Sequence, residues 1–207
     1  MQDLSPEEQE TLETYNTCAR EWDAKHDTFG FWQEEMDLFQ SFMPSGSLLE
    51  IGCGAGRDAV ELIERGYTYH GTDISEELIK IAQGKNPDAQ FDQVSLYDLK
   101  KLNKQYDGFW CSAVLLHIPF ERLEEAFEAI GFCLQEGAVG FISIKEGEGS
   151  GYLSSEKQGG EHKRHFYYHS QEGFSQVLQV YGFEVLECIY KPMSEKTRWL
   201  SYFVRKT

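Results

Sequence analysis

Short apolar segments alternate with amphipathic helical segments through the middle of the chain, and this order restricts the fold more than any other feature. Apolar runs predict strands at residues 47–51, 67–72, 90–94, 108–116 and 139–144. Apolar residues at helical spacing predict helices at residues 57–65, 75–83, 119–134 and 170–181. Strands that alternate with helices favour a parallel sheet with helices on both faces.

The N-terminal segment precedes this alternation and is helical throughout. Residues 5–20 and 31–42 carry apolar side chains at helical spacing. Ser5 followed by Pro6 is a typical helix start, because serine caps the first turn and proline fits its first position. We therefore expect a helical N-terminal cap over residues 1–45.

The C-terminal part departs from the alternation in two ways. Residues 146–169 are rich in glycine and lack periodicity, which predicts a long loop or lid on the substrate side. Two final strands are predicted at 183–189 and 200–204, with no helix-length segment between them. The last strand should therefore pair antiparallel, at or near the sheet edge. Residues 1–207 are expected to form a single domain.

Composition excludes several classes of protein. A length of 207 residues suits one domain, and no apolar run reaches the ~18–20 residues that cross a bilayer. The N-terminus is acidic and has no signal-peptide pattern, so a cytoplasmic location is expected. The net charge of -16 disfavours nucleic-acid partners, because a phosphate backbone is repelled by an acidic surface. Residues 162–165 are the only candidate basic patch.

No metal site is expected. The five cysteines are far apart and form no CxxC pair, which is typical of reduced thiols rather than of a zinc site or a disulfide framework. His162, His165 and His169 lie near one another, but the segment has no HExxH pattern.

A glycine-rich turn follows the first predicted strand. Gly52, Gly54 and Gly56 form a GxGxG pattern immediately before a helix. Glycine permits positive φ and leaves the backbone bare, and a helix N-terminus offers free N–H groups to an anionic ligand. A dinucleotide site requires GxGxxG, so the spacing argues against a nicotinamide-dependent oxidoreductase.

An acidic residue ends the second predicted strand. The carboxylate of Asp73 could accept two hydrogen bonds from the vicinal hydroxyls of a ribose. It could instead cap the helix that begins near Ser75. We interpret Ser75 as the cap and Asp73 as the ribose ligand.

Taken together, the motifs resemble those of the class I S-adenosylmethionine (SAM) dependent methyltransferases, and more narrowly a group of small stand-alone bacterial members. The resemblance covers nearly the whole chain. It is carried by residues 50–56, 71–75, 106–119, 134–138 and 182–185, which follow the order of the family's motifs. The implied fold is α/β: a Rossmann-like, doubly wound, seven-stranded, mostly parallel sheet with an antiparallel C-terminal strand and helices on both faces.

The resemblance also implies a cofactor site for SAM and its product S-adenosylhomocysteine (SAH). Its predicted members are Tyr15, Trp22, Gly52, Cys53, Gly54, Asp73, Ile74, Ser95, Leu96, Ala113 and Val114. Many family members carry Gly-Asp where this chain has Val94 and Ser95, so the serine would have to contact the adenine through its hydroxyl or its amide. Core packing is the alternative role for Tyr15, Trp22 and Val114.

The implied reaction is in-line methyl transfer from SAM to a small-molecule acceptor, with positioning as the main task of the protein. His117 is the candidate general base, with a structural role as the alternative. Lys145, Arg164 and Tyr168 are predicted to face the acceptor, Arg164 by holding an anionic group. The alternatives are a solvated lid for these three residues, and for the whole chain an inactive SAM- or SAH-binding module.

Overall fold

The computed structural model describes residues 4–26, 28–155, 162–194 and 197–207. Its helices are α1 (Pro6–Thr17), α2 (Ala19–His26), α3 (Gln33–Phe42), α4 (Arg57–Glu64), α5 (Glu76–Lys85), α6 (Leu123–Phe132) and α7 (Gln171–Val180). Its strands are β1 (Ser47–Ile51), β2 (Thr68–Asp73), β3 (Gln90–Gln93), β4 (Tyr106–Ser112), β5 (Leu134–Lys145), β6 (Ser150–Ser155), β7 (His162–Tyr167), β8 (Phe183–Ser194) and β9 (Thr197–Lys206). None of the helices in these ranges has the length and hydropathy that a bilayer crossing needs.

Seven strands form one sheet in the order β3-β2-β1-β4-β5-β9-β8. The first five are parallel to one another. β9 runs antiparallel to both β5 and β8. The predicted α/β fold with an antiparallel last strand is therefore confirmed, and β9 lies one strand in from the edge, which β8 occupies.

Apolar side chains on the two faces of the sheet form two separate cores. Successive residues of a strand point to opposite faces, so Leu48 packs on one side and Leu49 on the other. One core joins the sheet to α6 and α7, and the other joins it to α3, α4 and α5. Helices therefore cover both faces, as predicted.

Serine side chains mark the starts of three helices. Ser5 and Glu8 form a reciprocal capping box at α1. Ser75 Oγ accepts the N–H of Leu78 at 3.2 Å, and Ser170 caps α7 in the same way. These local interactions explain why the predicted helix starts agree with the structure to within a residue.

β4 is shorter than the predicted strand at 108–116. It ends at Ser112, because Ala113 adopts a left-handed conformation with φ of 60° and a 3₁₀ turn follows at Leu115–His117. The N–H of Ala113 donates to Ser143 Oγ at 3.0 Å, which holds this bend against β5. The prediction was wrong here because the apolar run continues into the turn.

The prediction of a long loop at 146–169 was also wrong over the described residues. β6 and β7 form a two-stranded antiparallel sheet of their own. β7 packs on α1, where Thr14 Oγ1 donates to the carbonyl of Lys163 at 2.7 Å and the N–H of His165 donates to Thr11 Oγ1 at 3.0 Å. Long-range bonds to the N-terminal helix thus order a segment that lacks local periodicity.

Candidate functional site

A cavity of about 240 Å³ opens at the carboxyl ends of β1, β2 and β4. This is where open α/β sheets bind their ligands. Every residue of the predicted cofactor site, together with His117, lines it: Tyr15, Trp22, Gly52, Cys53, Gly54, Asp73, Ile74, Ser95, Leu96, Ala113, Val114 and His117. The structure therefore brings together in one cavity the residues that the sequence motifs singled out from distant segments.

Gly52 and Gly54 of the glycine turn are needed for different physical reasons. Gly52 has φ of 71°, and a Cβ added there would lie 2.2 Å from Val114 Cγ2. Gly54 has φ of 55°, and an added Cβ would meet no atom within 4 Å. Gly52 therefore allows a close approach of two loops, whereas Gly54 presents bare backbone to open space at the cavity.

The carboxylate of Asp73 joins this turn to the start of α5. One oxygen accepts the N–H of Gly54 at 2.9 Å, and the other accepts the N–H of Ser75 at 2.8 Å. Burial raises the pKa of Asp73 above its usual value. Each carboxylate oxygen has a further lone pair, so Asp73 can support both backbone segments and still accept bonds from a ligand. Both roles weighed for Asp73 are thus geometrically compatible.

Two hydrogen-bonded groups of polar and aromatic side chains lie beside the turn, and none of their members belongs to the site predicted from the sequence. Glu50 accepts the O–H of Tyr69, and burial raises the pKa of Glu50 well above its usual range. Arg57 Nε pairs with Asp58 at 2.5 Å, and Trp110 Nε1 donates to Asp58 at 3.1 Å. The available signal was an acidic residue at position 50 inside an otherwise apolar strand.

A stripe of α1 also lines the cavity. Glu8, Thr11, Leu12 and Tyr15 all face it, and their spacing is that of one helix face. Of these, only Tyr15 was predicted to belong to the site. The i, i+3, i+4, i+7 pattern could have extended the prediction to the other three.

Trp22 packs against two other aromatic rings at the cavity wall. The ring of His26 stacks on it with centroids 3.7 Å apart, and His26 Nδ1 bonds to the carbonyl oxygen of Trp22 at 2.9 Å. Tyr15 meets Trp22 edge-on at 5.2 Å. Three aromatic side chains from α1 and α2 therefore pack together beside the cavity.

Ser95 stands where many members of the family carry an aspartate, so its own hydrogen bonds decide what it can offer to the adenine. Its Oγ accepts the N–H of Tyr97 at 3.4 Å and thereby caps the 3₁₀ turn at Leu96–Leu102. The hydroxyl hydrogen is not used by that bond and stays available to a ligand acceptor atom.

A directed chain of hydrogen bonds crosses the floor of the cavity. Burial lowers the pKa of His117 to about 3, so the imidazole is neutral at pH 7. Its Nδ1 lies 2.7 Å from the carbonyl oxygen of His165 and must donate to it. Nε2 is therefore the acceptor for the O–H of Tyr15 at 3.1 Å, and Arg164 donates to the Tyr15 oxygen at 3.2 Å.

The three predicted acceptor-side residues lie outside the cavity lining but close behind it. The Arg164 guanidinium lies 4.4 Å from the ring centroid of Trp22. Lys145 Nζ lies 4.2 Å from the ring centroid of Phe166. The ring of Tyr168 is stacked with Phe166 at 6.2 Å. Arg164 is thus nearest to the cavity, and Lys145 and Tyr168 lie on Phe166.

Potential metal ligands do not cluster in the described ranges: no group of three or more His, Cys, Asp or Glu side chains is suitably placed. Burial lowers the pKa of His169 to about 4. The side chain of His162 lies outside the described residues.

A family model described as a methyltransferase domain matches residues 24–188. The chain belongs to the methyltransferase family. This match covers most of the sheet and the cavity, including the glycine turn, and it confirms the family predicted from the motifs.

Known proteins agree with this assignment. A protein of Geobacillus sp. (strain WCH70), named as a methyltransferase candidate, is 28% identical over 138 residues, or 55% of this chain and 55% of that protein. The chain thus spans about half the length of this curated relative.

Two solved methyltransferases share the fold. The Burkholderia thailandensis 1,6-didemethyltoxoflavin-N1-methyltransferase, with its substrate and SAH bound, aligns with a TM-score of 0.73 and 15% identity, over 100% of this chain and 93% of its own. The magnesium protoporphyrin IX methyltransferase of Synechocystis PCC 6803, with SAM bound, has a TM-score of 0.68 and 16% identity, over 100% of both chains.

Proposed function

We propose that this chain is a SAM-dependent methyltransferase that transfers a methyl group to a small-molecule acceptor. The observation that carries the proposal is the meeting of a bare glycine backbone at Gly54 with the carboxylate of Asp73 at one cavity. Family membership makes SAM the expected methyl donor. The names of the two solved methyltransferases say that they act on small molecules, and this supports an acceptor of that class.

The cavity residues fit the parts of SAM. Asp73 has free lone pairs for the two ribose hydroxyls. Ile74 and Leu96 offer apolar surface to the adenine, and Ser95 offers a hydroxyl to its edge. Gly54 leaves room for the methionine part to lie on the backbone.

When bound, SAM supplies a methyl group on a positively charged sulfur, already activated for displacement. The residues of the chain then have to align the acceptor and exclude water. Tyr15 and Trp22 offer aromatic surface beside the cavity, and such surface attracts a cation. A helical cap formed by α1 and α2, whose residues line the cavity, would close the site, and β7 packs on α1.

His117 fits a positioning role better than a role as general base. A base is most effective when its pKa lies near the working pH, and burial lowers the pKa of His117 to about 3. Its neutral imidazole instead fixes the direction of the Tyr15 hydroxyl. We therefore propose that His117 holds Tyr15, and that the acceptor reacts as a nucleophile that needs little help in losing a proton.

The proposal is tested by titration calorimetry of SAH into the wild type and into Asp73→Asn. Asparagine keeps the size of the side chain but loses the charge and one acceptor oxygen. We expect SAH to bind about tenfold or more weakly to Asp73→Asn, since hydrogen bonds to charged groups contribute roughly 1.5–3 kcal/mol.

Asp107→Asn is the matched control. Asp107 also accepts bonds from a backbone N–H and a hydroxyl, both of Ser47, but it lies away from the cavity lining. This variant should leave SAH affinity unchanged. Wild-type protein that binds neither SAM nor SAH would refute the function, and SAH binding without methyl transfer to any member of a metabolite panel would favour the inactive binding module.

A further inference from the structure

Two cationic side chains, those of Lys145 and Arg164, lie close to the same aromatic ring, that of Phe166. Lys145 Nζ is 4.2 Å and the Arg164 guanidinium carbon 5.3 Å from the ring centroid of Phe166. Arg164 also lies over Trp22, and Lys145 is 5.6 Å from the ring centroid of Trp199. The two cations are thus held by aromatic faces from α2, β7 and β9.

Neither cation is neutralised by a carboxylate within the described ranges. The ion pairs of those ranges include neither Lys145 nor Arg164, although both residues are partly buried. The chain has 35 acidic and 19 basic residues, so acidic partners are abundant elsewhere. Burial, aided by Arg164, lowers the pKa of Lys145 to about 8. Two partly buried positive charges that have aromatic partners but no carboxylate favour a ligand that supplies the opposite charge.

The pair lies directly behind the wall of the cavity. Arg164 donates to the hydroxyl of Tyr15, which lines the cavity. Phe166 packs on the ring of His117 at 4.7 Å, and His117 lines the cavity floor. A group bound between the two cations would therefore lie next to Tyr15 and His117.

We propose that the methyl acceptor carries an anionic group, a carboxylate or a phosphate, which is held between Arg164 and Lys145. This inference rests on the proposed function, because it assigns the substrate class of the same site. The planar guanidinium can donate two parallel bonds to either oxyanion, and the ammonium adds a point charge. Phe166 sets the spacing between the two cations.

The test measures the binding of small probes by NMR titration at pH 7, with and without SAH. Benzoate and phenylphosphonate are compared with benzamide, which has a similar shape and no charge. We expect at least one of the two anions to bind about tenfold or more tightly than benzamide, since charge-assisted hydrogen bonds are the stronger ones. The anion that binds better identifies the oxyanion.

Two variants and one control assign the preference to the pair. Lys145→Met keeps an unbranched side chain on Phe166 and removes the charge. Arg164→Gln removes the guanidinium that can donate two parallel bonds. Both should reduce the preference for the anion by about tenfold. Arg205→Gln is the control, because it also removes one positive charge. Arg205 on β9 pairs with Val139 of β5, six residues from Lys145, so this variant should leave the preference intact.

The outcomes separate the two proposals. Equal binding of benzamide and both anions, or a preference that survives in both Lys145→Met and Arg164→Gln, would overturn the anionic acceptor. SAH affinity is measured in the same samples. A wild-type protein that does not bind SAH would overturn the proposed function instead. Circular dichroism establishes that each variant is folded, and because Lys145 lies outside the cavity lining, Lys145→Met should bind SAH as the wild type does.

Discussion

The substitution Gly54→Ala separates ligand space from backbone strain at the glycine turn. Gly54 and Gly66 both have positive φ, 55° and 91°, and an added Cβ meets no atom within 4 Å at either position. Gly54 lines the cavity, whereas Gly66 lies exposed after α4. Gly66→Ala is therefore a matched control that places an L-residue at positive φ away from the site.

The expected magnitudes follow from this geometry. A left-handed conformation costs an L-residue about 1–2 kcal/mol, so both variants should lose stability by that amount. At Gly54 the new methyl also enters the space proposed for the methionine part of SAM. Forcing one extra methyl into an occupied space costs about 1–3 kcal/mol, which corresponds to a loss of SAH affinity of roughly 5–150-fold.

Urea unfolding with and without SAH measures both effects together. At 100 times the wild-type Kd, SAH should stabilise the wild type and Gly66→Ala by about 2.7 kcal/mol. A tenfold loss of affinity in Gly54→Ala reduces that stabilisation to about 1.4 kcal/mol. Equal stabilisation of the two variants by SAH would show that the backbone of Gly54 is not part of the cofactor site.

Two further predictions concern the turn and the cavity floor. Gly52→Ala should lower the free energy of unfolding by about 2–5 kcal/mol in urea, since strain at φ of 71° adds to a clash with Val114 Cγ2; Val114→Ala in the same chain should recover part of it, and no recovery would contradict the clash. Folding lowers the pKa of His117 from 6.5 to about 3, so its contribution to stability is present above pH 6.5 and lost as the pH falls towards 3. The wild type should therefore lose up to about 2 kcal/mol more than His117→Gln between pH 7 and pH 5 in urea unfolding; equal losses would contradict a neutral buried imidazole.

Much of the fold could be predicted because its signals are local. Serine caps at Ser5, Ser75 and Ser170 mark helix starts that the structure reproduces. Apolar runs such as Ser47–Ile51 mark strands that are buried on both faces of the sheet. These features depend on neighbours within a few residues, so the sequence displays them directly.

The segment around β6 and β7 could not be predicted in this way. Its order comes from Thr11 and Thr14 of α1, which bond to the backbone of β7 from about 150 residues away in the chain. The end of β4 was missed for a related reason. Ala113 bends the chain because its N–H is held by Ser143, and nothing in the apolar run itself signals that partner.

The cavity could be predicted through its motifs but not through its packing. Gly54 and Asp73 belong to short patterns with a physical reason for each residue. Asp23 and His26 line the same cavity only because α2 packs against α5. Their roles depend on how distant elements meet, and single-sequence patterns carry little of that information.

The position of β9 sets the order in which the sheet can be completed. Among the described strands, β8 pairs only with β9, through a ladder with two register shifts, and β9 in turn pairs with β5. During synthesis on the ribosome, β8 therefore has no place in the sheet until residues 197–206 have emerged. Until then β5 keeps a bare edge with unpaired N–H and C=O groups, open to pairing with another nascent chain.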